Sequence, residues 1–262
     1  MTSSIQLLHW GAPEQVKTMI TNRHGGFSQA PFDSLNLGLH VGDDPGVVQK
    51  NREALKAVVP NEPFWLNQVH GTQVIDADAF KEIKDVCSDA PSADASVTTT
   101  PGRVLAIMTA DCLPVLLASS DGKVVGAAHA GWRGLAAGVI EQTVALMRSK
   151  QSHQTQADAQ AQSEILAYLG PAIGPHAFEV GSEVRDIFMA QNRASAACFE
   201  QLQETGKYLA DIYELACLRL NALGIEHIEG GGECTLQNPD YFSYRRDQQT
   251  GRMGSFIWIE IA

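Results

Sequence analysis

Residues 109–139, TADCLPVLLASSDGKVVGAAHAGWRGLAAGV, decide how this chain folds around its chemistry. Residues 114–119 and 123–128 are apolar runs of strand length, and Asp121-Gly122 between them is a strong signal for a tight hairpin. That turn sets Pro114 opposite His129. Side chains two apart on a strand share a face, so Cys112 points to the same side as His129, one diagonal step away. A thiol and an imidazole are thereby aimed into one small volume. Beyond His129, the glycines of Ala130-Gly131-Trp132-Arg133-Gly134 permit a tight backbone path. Leu135, Val139, Val144 and Met147 then recur at helical spacing, which predicts one helix over 135–147 that starts at the candidate site. The free amides of a helix start favour an anion, and Arg133 adds a planar donor fork.

The 262 residues are 44% hydrophobic, enough for a sizeable core, and no internal boundary is visible, so one domain over 1–262 is expected. A formal net charge of -11 argues against a nucleic-acid or anionic-membrane surface and leaves small molecules as the partners. A monomer is the expectation. The five cysteines, Cys87, Cys112, Cys198, Cys217 and Cys234, are scattered and odd in number, which fits a reducing compartment. With no basic leader followed by an apolar segment and no run long enough to span a bilayer, a soluble cytoplasmic protein is expected.

Around the central stretch, residues 1–20 read as a short strand and a helical turn started by Pro13. A long loop rich in Gly, Asn and Asp follows, of the kind that usually serves a site. It carries Arg23, His24, Asn36 and His40, the two histidines being read as loop residues bonded to backbone. A helix is expected over about 45–58, with Asn51 and Arg52. Residues 63–78 read as strand, with Gln68 and His70 on one face and a bend at Gly71. Residues 79–102 hold a short amphipathic piece, then a strand and turn; 103–108 form a strand that delivers Asp111, read as a turn former. The polar segment 149–163 reads as a solvated loop or frayed helix end, which sets His153 aside. Next come a strand at 164–170, a loop with His176, a helix to about 191 with Ser182 as cap, and a helix over 207–223 stopped by Gly224. Cys217 reads as a small core residue, and the C-terminal stretches, including 241–252, as strands around glycine-rich turns.

His70, Cys112 and His129 are well separated in sequence, as catalytic metal ligands often are, and a three-ligand zinc site leaves a fourth position open. The same residues would equally be a buried cysteine beside two hydrogen-bonded histidines, or a Cys-His nucleophile pair. Other signatures are missing. His227-Ile228-Glu229 lacks the partner motif of a zinc nucleobase deaminase, and there is no phosphate-binding glycine loop or nucleophile elbow.

Longer motifs are more specific. NQVHG (67–71), TADCLPVLL (109–117), HAGWRG (129–134), LGPAIGP (169–175), FSYRRD and TGR (242–252), with TNRHGGFS and LNLGLHVGDD near the N-terminus, resemble the YfiH-like family, also called laccase-domain or multicopper polyphenol oxidase proteins. The resemblance covers nearly the whole chain. It implies a single-domain α/β (α+β) fold, a four-layer α/β/β/α sandwich with mixed sheets related to the catalytic domain of cytotoxic necrotizing factor. It also implies a zinc, or alternatively copper, held by His70, Cys112 and His129, which would be the catalytic group. The activity implied is phosphorolysis of adenosine, inosine and methylthioadenosine, with deamination of adenosine. The alternatives in the family are a peptidoglycan editing hydrolase that removes a misincorporated serine precursor, and a copper polyphenol oxidase. A multicopper cluster needs many histidines, typically in H-x-H pairs, and none occurs among the eight here, so laccase chemistry is disfavoured. As substrate or phosphate ligands we expect Arg133, Arg52 and Arg23, with Gln68 and Asn36 bonding to ribose or base.

Overall fold

The hairpin sits at the centre of a six-stranded mixed sheet in the computed structural model, which describes residues 4–80, 90–154 and 163–261. In chain order the elements are β1 (Ile5–Leu8), β2 (Val16–Thr21), α1 (Pro45–Leu55), β3 (Val74–Asp76), β4 (Ala95–Thr98), β5 (Leu105–Thr109), β6 (Leu113–Ser119) and β7 (Val125–Ala130). They continue with α2 (Trp132–Ala137), α3 (Val139–Gln154), β8 (Ile165–Leu169), β9 (Glu179–Gly181), α4 (Ser182–Gln191), β10 (Phe199–Gln201) and β11 (Lys207–Ala210). The last are α5 (Ile212–Ala222), β12 (Ile228–Gly230), α6 (Tyr244–Asp247) and β13 (Met253–Ile259).

The large sheet runs β12-β8-β6-β7-β4-β3, with parallel pairs at its two edges and antiparallel pairs between. A four-stranded antiparallel sheet runs β1-β2-β13-β5, and β10-β11-β9 form a small third sheet. The fold is thus mixed α/β. Strand β6 is buried along its whole length, and its side chains alternate between two cores. Val115 and Leu117 pack with Val139, Ile140 and Val144 of α3 and with Leu215 and Leu220 of α5; Leu116 and Ala118 pack with Leu105, Ile107 and Ile257 of the four-stranded sheet. A third cluster joins Met108, Phe256 and Trp258 to Leu55 of α1. Burial on both faces explains why β6 reads as a continuous apolar run rather than an alternating one.

The expected register holds: Pro114 pairs with His129, although the connecting loop is longer than two residues. The expected helix over 135–147 is instead two helices, because Gly138 takes a left-handed φ of 103° and ends α2 after six residues. The expected helix over 207–223 starts only at Ile212. Lys207–Ala210 is claimed as a strand by pairing with both β9 and β10, and Asp211 caps the helix by accepting from the amides of Tyr213 and Glu214. Pro13 makes a single turn into β2 rather than a helical one. Of residues 63–78 only Val74–Asp76 is a strand, with isolated bridges at Phe64 and Asn67. Residues 241–252 are loop around the one-turn α6 rather than strand, capped by the Ser243 side chain. Ser182 opens α4 but makes no side-chain cap. Within 79–102, where a short amphipathic piece is expected, residues 81–89 with Cys87 lie outside the described residues; of the polar segment 149–163, residues 149–154 continue α3 and 155–162 lie outside the described residues.

Candidate metal centre

Three different pieces of local structure deliver the three candidate ligands. His129 lies in β7, one strand from the start of β6; Cys112 immediately precedes Leu113, the first residue of β6. His70 comes from the loop before β3 and carries a positive φ of 61°, uncommon for a side chain this large. Its ring meets that of His129 edge to face, with centroids 4.7 Å apart, and its Nε2 lies 3.8 Å from the Cys112 Sγ. One ligand atom from each of the three lies within 4.8 Å of the others, and no other such group occurs among the described residues. One thiolate and two imidazoles this close together are a donor set that can hold one metal ion.

Gly131 is why the cluster can close. A Cβ on it would stand 2.9 Å from Cys112 Sγ and 3.2 Å from the His70 ring. The sequence suggested a conformational need for this glycine, but its φ of -57° is ordinary and the need is space.

The electrostatics favour the ligand form of the thiol. Burial opposes a thiolate at Cys112, yet the charge of His129 and hydrogen bonds with both histidines outweigh it and hold the thiol well below its ordinary range. Burial likewise opposes an imidazolium at His129, which is 3% exposed, but the Cys112 thiolate and the Asp94 carboxylate together raise its pKa. Asp94 accepts from His129 Nδ1 at 2.8 Å, leaving Nε2 for a ligand bond. Nothing in the sequence pattern marked Asp94; the available signal was a lone acidic residue among the small and apolar residues of Ala93–Val97.

These groups open into a cavity of about 410 Å³. Of the expected substrate residues it is lined by Arg133, which lies over the Trp132 ring at 4.3 Å, and by Gln68. Gln68 is held at both ends, donating to the Met108 carbonyl and accepting from the Met108 amide. Arg52, Arg23 and Asn36 do not line it. Arg52 is buried, donates to the Leu37 carbonyl at 2.9 and 2.8 Å and stacks on Trp65; Arg23 pairs with Asp33 and covers Phe242. Asn36 is also buried, yet its Oδ1 accepts from the Arg252 amide and so fixes the base of a residue that does face the cavity.

The lining also includes Arg252, Arg245, Tyr244 and His40. Arg245 and Arg252 sit in the quoted motifs FSYRRD and TGR. The sequence pattern predicts for His40 only a loop position bonded to backbone, yet it faces the cavity. Burial, then the charges of Arg252 and Arg52, lower its pKa and keep it neutral. Asp111 also has a positive φ, 91°, and ties its two oxygens to the Thr235 hydroxyl and the Arg245 amide, a turn former that pins the far wall.

Residues 17–260 match the family model described as multi-copper polyphenol oxidoreductase laccase. The chain is 48% identical over 260 residues to the purine nucleoside phosphorylase YfiH of Escherichia coli, covering 98% of this chain and 99% of that protein. It is 47% identical over 252 residues to a purine nucleoside phosphorylase of Pseudomonas aeruginosa, covering 96% of each. Among solved structures it is similar to a Neisseria meningitidis protein, with a TM-score of 0.87 at 45% identity over 99% of this chain and 100% of that one. YlmD from Geobacillus stearothermophilus is similar at a TM-score of 0.83 and 33% identity, over 100% and 98% of the two chains.

Proposed function

Because this chain belongs to the family described as multi-copper polyphenol oxidoreductase laccase and is 48% identical to a protein named purine nucleoside phosphorylase, we propose that it cleaves purine nucleosides with phosphate. The products are free base and ribose 1-phosphate. Inosine, adenosine and methylthioadenosine are the substrates of this reading, with loss of ammonia from adenosine as a second activity of the same centre. The observation that carries it is the cavity of about 410 Å³, of the size that small ligands occupy, whose lining combines His70, Cys112 and His129 with three arginines.

In phosphorolysis a phosphate oxygen bonds to C1′ of the ribose as the bond from C1′ to the base breaks. The bonding pair leaves with the base, which takes up a proton. The chain must therefore hold a polyanion beside an uncharged sugar. Arg252 suits that role because its Nη1 donates to the Thr250 and Gly251 carbonyls, no ion pair engages it among the described residues, and burial lowers its pKa. A cation poorly solvated and without a counter-ion favours an anionic ligand. Arg133, exposed at the rim, is the second phosphate contact of this reading, and Tyr244, 53% exposed, offers a face for the purine. Arg52, Arg23 and Asn36 are assigned the supporting contacts described above.

For the metal we propose zinc, held by His70, Cys112 and His129. One thiolate and two imidazoles suit it, and when bound it supplies a Lewis acid beside the substrate. The same donors suit a single copper, but a multicopper cluster needs further sets of ligands, and among the described residues only this one group occurs.

The test is elemental analysis for about one zinc per chain, followed by hypoxanthine release from inosine with and without phosphate, and ammonia release from adenosine. A metal-loaded protein that turns over no purine nucleoside sinks the reading. One observation favours a second. Cys112, His129 and Asp94 form a thiol–imidazole–carboxylate line, which would suit a hydrolase with Cys112 as nucleophile, such as one editing a serine-containing peptidoglycan precursor. Alkylation separates the two: a metal-ligated Cys112 is protected, and a free nucleophile is labelled.

A further inference from the structure

We propose that Asp94 is the positioning residue that sets both histidines of the candidate centre at once; the proposal rests on the reading of His70, Cys112 and His129 as metal ligands. Asp94 is 0% exposed and all the hydrogen bonds of its side chain converge on the two ligand-bearing segments. Its Oδ1 accepts from His129 Nδ1 at 2.8 Å and from the His70 amide at 2.9 Å. Its Oδ2 accepts from the amides of Gly71 at 2.6 Å and Val69 at 3.2 Å. The main chain adds a fifth tie, the His129 amide donating to the Asp94 carbonyl at 2.7 Å.

Three successive amides, those of Val69, His70 and Gly71, can converge on one carboxylate because His70 takes its left-handed conformation; this is an anion-binding nest filled by the protein's own side chain. The carboxylate therefore holds the His70 loop in the conformation that turns the ring toward Cys112. The same carboxylate fixes the tautomer and tilt of His129. A side chain that merely stabilised the core would need neither feature.

The arrangement makes the isosteric amide a sharp probe. Each oxygen accepts two N–H groups, so an asparagine at this position turns its NH₂ toward two donors in either orientation. Asp94→Asn is compared with wild type and with Asp78→Asn. Asp78 is another well-bonded carboxylate, tied to Thr98, Thr99, Thr100 and Lys150 and absent from the cavity lining. The readouts are zinc affinity by competition with a chelator, the visible spectrum of the cobalt-substituted protein, and the Tm of the metal-free chain.

We expect Asp94→Asn to weaken zinc by roughly 10- to 100-fold and to alter the cobalt bands. Asp78→Asn is expected to lower Tm while leaving zinc affinity and spectrum unchanged. Equal zinc affinity and an unchanged spectrum in Asp94→Asn overturn the inference. A wild-type chain that binds neither zinc nor cobalt overturns instead the ligand reading beneath it. Where Asp94→Asn does not fold, Asp94→Glu is read the same way: it keeps the four acceptor positions but displaces them by one methylene, so altered bands and weaker zinc support the inference, and wild-type values refute it.

Discussion

At the scale of single residues, the centre depends on close approach and on charge. Gly131→Ala drives a methyl group into Cys112 and the His70 ring. We expect it to lower zinc affinity at least tenfold while the chain keeps its helical and sheet signal; a chelator competition and a circular dichroism spectrum check this. Arg252 gives a prediction about anions. Arg252→Gln removes the cation that lacks an ion-pair partner among the described residues, and we expect the KM for phosphate to rise about tenfold, worth about 1.4 kcal/mol, with a smaller change in KM for inosine. A KM for phosphate equal to wild type removes Arg252 from the phosphate site. The sequence motifs already pointed to His70, Cys112 and His129. They could not reveal Asp94, because its role comes from two loops and a strand meeting around one carboxylate, and no spacing encodes that meeting.

At the scale of elements, two junctions carry measurable stability. Gly138 separates α2 from α3 at a φ of 103°, where an L side chain costs about 1 kcal/mol, so Gly138→Ala should lower Tm by roughly 3 °C and leave zinc affinity intact. Periodicity alone ran the two helices together, because one left-handed residue barely disturbs the spacing of apolar side chains. The second junction ties α3 to the β3 edge, Lys150 meeting Asp76 at 2.6 Å and Asp78 at 2.8 Å. Burial opposes the Asp78 charge, but the hydrogen bonds from Lys150, Thr98 and Thr99 outweigh it and hold the carboxyl far below the usual range. A carboxyl depressed in the folded chain adds stability that is complete above its unfolded value, about 3.9, and is lost as pH falls below that value toward the folded one. Asp78→Asn should therefore cost about 2 kcal/mol, or about 5 °C in Tm, at pH 7, and the gap to wild type should narrow at pH 3. A gap independent of pH would contradict this account.

At the scale of the whole molecule, four apolar clusters among the described residues hold the chain together, the largest spanning the six-stranded sheet, α3, α5 and the small third sheet. Stripping the metal should lower Tm by several degrees, since a ligand at a hundred times its Kd contributes about 2.7 kcal/mol, but should not unfold the protein. Calorimetry with and without chelator checks this. Cooperative unfolding on chelation would favour a metal-stabilised binding module instead. No helix among the described residues is long and apolar enough to cross a membrane.

Sequence by itself determined the hairpin, its register and the nearness of Cys112 to His129, because two apolar runs of strand length and a turn dipeptide act over a few residues. The strands expected over 103–108, 164–170 and the C-terminal SFIWIEI are strands at Leu105–Thr109, Ile165–Leu169 and Met253–Ile259, each near its expected place. Only the tertiary structure decided that Lys207–Ala210 is strand rather than helix, since its partners lie at β9 and β10. It alone decided that Arg252 rather than Arg52 faces the cavity, and that Asp94 grips both histidines. Those outcomes depend on which distant segments come within hydrogen-bonding reach, and local pattern carries no information about that.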